Sequence, residues 1–306
     1  MIDPAIRDRA LGALLGLAVG DALGTTLEFK ARDLLPHHTE MTGGGTFRLQ
    51  PGQWTDDTAM ALALAASLDE RGRLDPQDLM ERFVAWRQRG EYSCTGDCFD
   101  IGNATSAALD RFLRTGEPFA GSTSERSAGN GSIMRLAPAI LFAIGDAEMT
   151  TRLAIDQGRT THAAPQAVEA CAFMAGLMRE TILGGNRTSL DTSTWAGHAD
   201  WKPFAHQAWR SKERHEIHSS GFVVATLEAA LWSVWRTETF EDAVVLAVNL
   251  GDDADTVGAV TGQIAGALYG LSAIPERWLR PLAWRDRLEA LGDRLLEAPA
   301  RAGGTA

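Results

Sequence analysis

The sequence predicts a protein that is all α-helix and a single domain. Three observations support this fold class. Alanine and leucine dominate the long segments, apolar residues recur at intervals of three and four, and Gly, Ser, Asp and Thr concentrate in three intervening loops, at residues 30–54, 117–132 and 184–200. Strand patterns are weak throughout, and residues 184–219 are the region where a strand stays an alternative.

The size and composition of the chain fit an ordinary globular domain. It has 306 residues, of which 45% are hydrophobic and 23% charged, so it has enough apolar material for a large core. No change in composition resembles an interdomain linker. We therefore expect one domain over residues 1–300, followed by a disordered tail at 301–306, RAGGTA.

Charge and cysteine content exclude several classes of protein. A net charge of −11 argues against a nucleic-acid-binding surface, which needs a basic face. The three cysteines, Cys94, Cys98 and Cys171, form no disulfide framework, and no second Cys/His pair completes a zinc site with the first two. We expect reduced thiols and a cytoplasmic location.

An apolar stretch at residues 10–24 resembles the core of a signal peptide. The residues before it are charge-balanced rather than basic, however, and Asp21 interrupts it. The chain has no uncharged apolar run of the length of a membrane span. We expect neither a signal peptide nor association with a membrane.

The first predicted helix contains a glycine at every fourth position: Gly12, Gly16, Gly20 and Gly24. This spacing leaves one face of the helix without side chains, which allows a second helix or a ligand to approach closely. Close helix packing in the core is the preferred interpretation.

Seven further helices are predicted in order. Residues 58–68 have a helical apolar period, the next helix begins with Asp75 as N-cap and Pro76 as its first residue, and the helix at 103–114 is ended by Gly116. The later helices follow the same apolar spacing and cover residues 163–183, 220–236, 239–249 and 257–270.

Two acidic clusters stand immediately before helices, WTDDT at 54–58 and DDADT at 252–256. Each could simply cap its helix, because Asp and Thr are favoured at N-caps and the helix dipole attracts anions. A single cap needs only one side chain, however, and no Lys or Arg lies within five residues of either cluster. Buried carboxylates need a partner, so a bound cation is the alternative interpretation.

The donor types in these clusters suit a hard cation such as Mg²⁺, Mn²⁺ or Ca²⁺. An EF-hand is excluded, because Val257 and Ile264 occupy positions where its loop needs ligands. The double-aspartate motif of the isoprenoid synthases is excluded too, because Thr256 and Met60 stand where its third acid belongs. Periodicity does not tell whether the two clusters meet in space.

Six motifs together resemble the ADP-ribosylglycohydrolase family, which includes dinitrogenase reductase-activating glycohydrolase and the ADP-ribosylarginine and ADP-ribosylserine hydrolases. The resemblance runs from about residue 8 to residue 270 and keeps the order of the family. The motifs are GLAVGDALGTTLEF, GQWTDDTAMALALA, FDIGNAT, SAGNGSIMRLAP, THAAPQAVEA and GDDADTVGAVTGQIAGALYG.

This resemblance implies a compact orthogonal helical bundle with a binuclear metal cleft that holds two Mg²⁺ (or Mn²⁺) ions. The implied metal ligands come from both acidic clusters and are Thr55, Asp56, Asp57, Asp253, Asp255 and Thr256. Asp252 stands where the family commonly has glycine, and we expect its charge to be solvated rather than to bind metal.

The substrate-binding and catalytic residues are likewise implied by the resemblance. On its own, the turn at residues 127–135 is only a loop that enters a helix, and a lone histidine such as His162 is more often structural. The family matches imply contacts to the diphosphate and ribose, or positions beside them, for Asp100, Ser127, Gly129, Asn130, Gly131, Ser132 and His162. Glu28 and Asp97 are the two implied candidates for proton transfer.

The expected activity is hydrolysis of the bond at ribose C1″ that joins ADP-ribose to a protein side chain. The similarity to the nitrogenase-linked enzymes favours arginine as that side chain. The expected partners are an ADP-ribosylated protein and the ADP-ribose product, with a monomeric enzyme and no nucleic acid. The alternative is an ADP-ribose-binding module, or an inactive relative, that keeps the pocket without turnover.

Overall fold

Twelve α-helices form the framework of the chain within residues 2–191, 201, 204 and 207–302, which are those that the computed structural model describes. Their bounds are α1 Pro4–Gly24, α2 Asp56–Arg71, α3 Pro76–Arg89, α4 Asn103–Thr115, α5 Ala137–Phe142, α6 Ala147–Arg159, α7 Pro165–Ile182, α8 Val223–Arg236, α9 Phe240–Val248, α10 Ala254–Tyr269, α11 Glu276–Leu279 and α12 Arg285–Ala302. The described residues contain isolated β-bridges but no strand, so the predicted all-α class is confirmed.

The region where a strand remained an alternative has short 3-10 turns where it is described, namely Arg187–Leu190, Ala208–Ser211 and Arg214–Glu216. In the predicted tail, residues 301–302 belong to the end of α12, and 303–306 lie outside the described residues. No helix in the described part of the chain combines the length and the apolar character needed to cross a membrane.

Local sequence signals set several helix ends as predicted. Asp75 caps α3, and its side chain accepts hydrogen bonds from the backbone N–H groups of Gln77 and Asp78. Gly116 ends α4 in the left-handed conformation that glycine adopts without strain. The last predicted helix begins earlier than expected, at Ala254, so Asp255 and Thr256 lie in the first turn of α10 rather than before it.

Four helices were absent from the sequence prediction: α5, α6, α11 and α12. The six residues of α5 are all buried, so they show no amphipathic period. Only four residues form α11, too few for a periodic signal. The start of α6 could have been predicted from Asp146, since Asp is a favoured N-cap residue. Its side chain accepts a hydrogen bond from Met149 N.

The glycine face of α1 packs against a second glycine face on α10, which confirms the predicted close packing. The two helices are antiparallel, and the facing pairs are Gly12–Gly266, Gly16–Gly262, Gly20–Gly258 and Gly24–Ala254. A Cβ atom at any of these α1 glycines would overlap the backbone of α10. The backbones are therefore in direct contact, which brings the C-terminal end of α1 beside the N-terminal end of α10.

Candidate active site

The two acidic clusters meet beside the C-terminal end of α1. Carboxylate oxygens of Asp21, Asp57 and Asp255 lie within 4.8 Å of one another, and so do those of Glu28, Asp253 and Asp255. We refer to these five residues as the acid cluster. Asp57 belongs to the upstream motif and Asp253 and Asp255 to the downstream motif, so residues almost 200 positions apart share one site.

Asp21 holds the N-terminal end of α2. Its Oδ1 accepts hydrogen bonds from the backbone N and the Oγ1 of Thr55, both at 2.9 Å, and its Oδ2 accepts from Thr58 N at 3.0 Å and Thr58 Oγ1 at 2.6 Å. Asp21 was not among the site residues predicted from the sequence. The available signal was a single acid in an otherwise apolar, glycine-spaced helix.

Glu28 makes the corresponding hydrogen bonds at the N-terminal end of α10. Its Oε2 accepts hydrogen bonds from Ala254 N at 2.7 Å and from Asp255 N at 3.4 Å. Asp253, the N-cap residue of α10, makes no capping hydrogen bond with its side chain, and neither does Thr55 at α2. Asp21 in α1 and Glu28 in the segment after it therefore cap the two helices, and simple capping does not account for the acids of the two motifs.

Asn130 connects the acid cluster to the small-residue turn at residues 127–135. Its Nδ2 donates hydrogen bonds to Asp253 Oδ2 at 2.6 Å and to Thr226 Oγ1 at 2.9 Å. Its backbone N donates to Gly221 O at 3.1 Å. The turn is thus fixed directly against one of the acids.

Burial and mutual repulsion shift the acidity of the whole group. Desolvation, followed by the nearby charge of Asp255, raises the pKa of Asp21 and of Asp253 to about 7. Desolvation and then Asp100 raise the pKa of Asp255 to about 7. Burial likewise raises the pKa values of Glu28, Asp56 and Asp57. The described residues that line the cleft include no Lys or Arg to neutralise these acids.

Two carboxylate oxygens of the acid cluster have no hydrogen-bond partner in the described part of the chain. Asp57 Oδ1 and Asp255 Oδ2 are buried and form no hydrogen bond to the described residues. A buried anion without a partner is costly, and the surrounding donors are carboxylate and hydroxyl oxygens, which Mg²⁺, Mn²⁺ and Ca²⁺ prefer. The residues present therefore fit a site for divalent cations.

A cleft of about 500 Å³ opens above the acid cluster. The sequence-predicted residues that line it come from both motifs and from the glycine turn: Glu28, Asp56, Asp100, Gly129, Asn130, Gly131, His162, Asp253, Asp255 and Thr256. Thr55 and Asp57 are buried and lie outside this lining. Asp252 is exposed at the cleft and has a positive φ of 60°.

Three further predicted site residues do not line the cleft. Asp97 is exposed and does not line it, whereas Asp100 in the same loop does, with a pKa that desolvation raises to about 6. Ser127 lines an adjacent groove, and Ser132 is fully buried. Phe29 was not predicted and lines the cleft with a side chain that is 61% exposed.

Comparisons with known proteins identify relatives of this chain. The sequence model for ADP-ribosylglycohydrolase matches residues 2–304. ADP-ribosylarginine hydrolase Tri1 of Serratia proteamaculans is 47% identical over 293 residues, which cover 94% of this chain and 79% of that protein. ADP-ribosyl-[dinitrogen reductase] glycohydrolase of Rhodospirillum rubrum is 37% identical over 287 residues, 92% of each chain.

A solved structure described as an ADP-ribosylglycohydrolase-related protein complex has the same fold. It superimposes with a TM-score of 0.86 and 44% sequence identity, over 96% of this chain and 98% of that one. The helical fold, the acid cluster and the extent of the sequence match lead to one conclusion: the chain belongs to the ADP-ribosylglycohydrolase family.

Proposed function

We propose that the protein is a metal-dependent hydrolase that removes ADP-ribose from ADP-ribosylated arginine in proteins. The observation that carries the proposal is the acid cluster at the base of the cleft, with two buried oxygens that form no hydrogen bond to any residue that the structure describes. The arginine substrate is supported by similarity to the hydrolase Tri1, whose name states that specificity.

The proposed ligands of two Mg²⁺ (or Mn²⁺) ions are oxygen donors at the N-terminal ends of α2 and α10: Thr55, Asp56, Asp57, Asp253, Asp255 and Thr256. When bound, such ions supply positive charge that lowers the pKa of water and orients hydroxyl groups of the ribose. Asp21 holds Thr55 and Thr58 by hydrogen bonds, and Asn130 holds Asp253, so these residues keep the ligands in position.

Hydrolysis adds water across the bond between C1″ and the guanidine nitrogen. The oxygen of water forms the new bond to C1″, the C1″–N bond breaks with its electron pair moving to nitrogen, and one proton passes from water to the released guanidine. Carboxylates assist such reactions, which pass through an oxocarbenium-like state.

Glu28 is the proposed carrier of that proton. It lines the cleft, and burial followed by the charge of Asp255 raises the pKa of its carboxyl, so that the group holds a proton more readily than an ordinary glutamate. Asp97 was the second candidate. Its exposed position outside the cleft gives that role no support, and Glu28 is the candidate that we retain.

The diphosphate and ribose are proposed to bind the wall formed by Gly129, Asn130, Gly131 and His162. Glycine lets backbone N–H groups approach an anion, and none of the residues in that wall is acidic. Asp100 lines the same cleft and is proposed to contact the ribose. Ser127 and Ser132 remain predicted contacts that this cleft does not include.

The alternative function is an ADP-ribose-binding module without turnover. Release of ADP-ribose from a panel of ADP-ribosylated arginine, ADP-ribosylated serine and acetylated ADP-ribose separates the two, with Mg²⁺ in one series and EDTA in the other. We expect turnover of the arginine substrate in Mg²⁺ alone. Tight binding of ADP-ribose without turnover of any substrate would support the module.

We propose an ADP-ribosylated protein as substrate, free ADP-ribose as product, and a monomeric enzyme. The three cysteines are free, which is compatible with the proposed cytoplasmic location.

A further inference from the structure

Arg135 is a buried cation that has no role in the proposed reaction. Its side chain is fully buried and lies over the ring of Phe83, with Cζ 4.7 Å from the ring centroid. Its Nε donates to Gln157 Oε1 at 2.9 Å, and its Nη2 donates to Gln157 O at 3.1 Å and to Thr161 Oγ1 at 2.8 Å. It forms no ion pair with any carboxylate among the described residues, so its charge acts on its neighbours.

Thr161 lies between Arg135 and His162. Its Oγ1 is 2.8 Å from the guanidinium Nη2 and 2.8 Å from His162 Nδ1. A guanidinium only donates hydrogen bonds, so Arg135 occupies a lone pair of the threonine oxygen and leaves the hydroxyl hydrogen free. Within the described part of the chain, Nδ1 of His162 is the acceptor in reach of that hydrogen.

The alternative arrangement is unfavourable. If Nδ1 carried a hydrogen, Arg135 and His162 would both donate to Thr161 Oγ1, and the buried hydroxyl hydrogen would have no acceptor among the described residues. A buried donor without a partner loses its full hydration energy. The network therefore favours an unprotonated Nδ1, which places the hydrogen of the neutral ring on Nε2.

The Nε2 edge of His162 faces the cleft. His162 is only 4% exposed but lines the cleft, and Nε2 forms no hydrogen bond to the described residues. Gly129 and Gly131 lie against this edge, where a Cβ at Gly131 would be 2.6 Å from Cε1 and 3.0 Å from Nε2. The absence of a side chain at Gly131 thus gives the ring its space beside the turn.

We propose that Thr161, held by Arg135, fixes His162 as a neutral imidazole whose Nε2–H donates a hydrogen bond to a ribose or diphosphate oxygen of ADP-ribose. Arg135 and Thr161 are then positioning residues that act through His162. The inference rests on the proposed function only for the identity of the ligand. The state of the free imidazole does not depend on it.

The electrostatics agree with a neutral ring. Burial, followed by the positive charge of Arg135, lowers the pKa of His162 to about 3. A carboxylate beside Nδ1 would instead stabilise the imidazolium and suit the residue to acid–base catalysis. Here a threonine and an arginine take that place, so His162 serves as a hydrogen-bond donor and not as a proton donor near neutral pH.

Long-range ¹H–¹⁵N NMR of the ¹⁵N-labelled full chain, without substrate, reads the tautomer of His162. The His162→Asn variant assigns the signal. We expect hydrogen on Nε2 and no imidazolium from about pH 5.5 to about pH 8, a range that spans the ordinary histidine pKa. Thr161→Val should give a mixture of tautomers and about tenfold weaker binding of ADP-ribose in titration calorimetry of the Mg²⁺-loaded protein, the loss expected for one hydrogen bond. The Thr161→Ser variant keeps the hydroxyl group, so it should show the wild-type tautomer and the wild-type affinity for ADP-ribose.

The wild-type spectrum decides the inference even if the valine variant does not fold. Hydrogen on Nδ1, or an imidazolium near neutral pH, would overturn it. So would a folded Thr161→Val variant with unchanged tautomer and unchanged affinity. Because the spectrum needs no substrate, it can succeed or fail independently of the proposed hydrolysis of ADP-ribosylarginine.

Discussion

Asp21 in the last turn of α1 accepts two hydrogen bonds from Thr58 in the first turn of α2, at 3.0 Å from the backbone N and 2.6 Å from Oγ1. The pair joins α1 to α2, although the two residues are 37 positions apart in the sequence. It also places Asp21 beside Asp57 and Asp255. One carboxylate thus caps a helix with both oxygens and contributes to the acid cluster.

Asp21→Ala should destabilise the protein by about 1–3 kcal/mol, because the buried N–H and hydroxyl groups of Thr55 and Thr58 lose their acceptor. Urea unfolding in EDTA measures this loss apart from metal binding. A matched control is Asp252→Asn, since Asp252 is exposed, its side chain forms no hydrogen bond to the described residues, and Asn tolerates the positive φ of this position. Equal stability of the two variants would contradict the anchoring role of Asp21.

Gly258→Ala should lower the free energy of unfolding by about 1–3 kcal/mol or more, because its Cβ would overlap the Gly20 carbonyl and force α1 and α10 apart. The control is Gly176→Ala, within α7, where a Cβ meets no atom within 4 Å. That change should stabilise the protein by about 0.5–1 kcal/mol through helix propensity. Thermal unfolding of both variants measures the difference, and a tolerated Gly258→Ala would contradict the backbone contact.

Removal of divalent cations should lower the melting temperature of the wild-type protein. Mg²⁺ at about 100 times its dissociation constant stabilises the folded state by about 2.7 kcal/mol if it binds only that state. Asp255→Asn should abolish most of this shift, because Asp255 belongs to both groups of converging carboxylates, whereas Asp252→Asn should retain it. A shift that is the same in both variants would place the cation elsewhere.

The stabilisation by Mg²⁺ should grow as the pH rises. The pKa values of Asp21, Asp253 and Asp255 are raised to about 7, mainly by burial, so without metal the folded state holds protons that the unfolded state releases near its lower, ordinary pKa. Stability without metal should therefore fall as the pH rises through the range up to about 7, whereas metal binding requires the deprotonated acids. Melting temperatures with Mg²⁺ and with EDTA, at about pH 5.5 and about pH 8, measure the effect. A larger Mg²⁺ shift at the lower pH would contradict it.

The sequence predicts much of the fold, because the relevant signals are local. Asp75 and Gly116 set helix ends through their own hydrogen bonds and backbone preference, and the glycine spacing of α1 indicates a close neighbour. The identity of that neighbour is not local information. Gly258 faces Gly20 only in the folded chain, so the pairing with α10 could not be read from either segment alone.

The candidate site was predictable to the extent that its residues stand in motifs. Asp57 and Asp255 stand in obvious acidic groups, whereas Asp21 stands alone in an apolar helix and becomes part of the site only when α1 meets α2. The loop that contains Asp97 and Asp100 shows a second limit of the prediction from sequence. Both acids fit the resemblance, but loop geometry decides that Asp100 and not Asp97 lines the cleft.

The central claim is that the acid cluster binds the divalent cations that hydrolysis requires. Its most direct test is release of ADP-ribose from an ADP-ribosylarginine protein by the wild type and by folded Asp255→Ala, each in Mg²⁺ and in EDTA. We predict release by the wild type in Mg²⁺ only and none by the variant. Full activity of Asp255→Ala, or undiminished wild-type activity in EDTA, would contradict the claim.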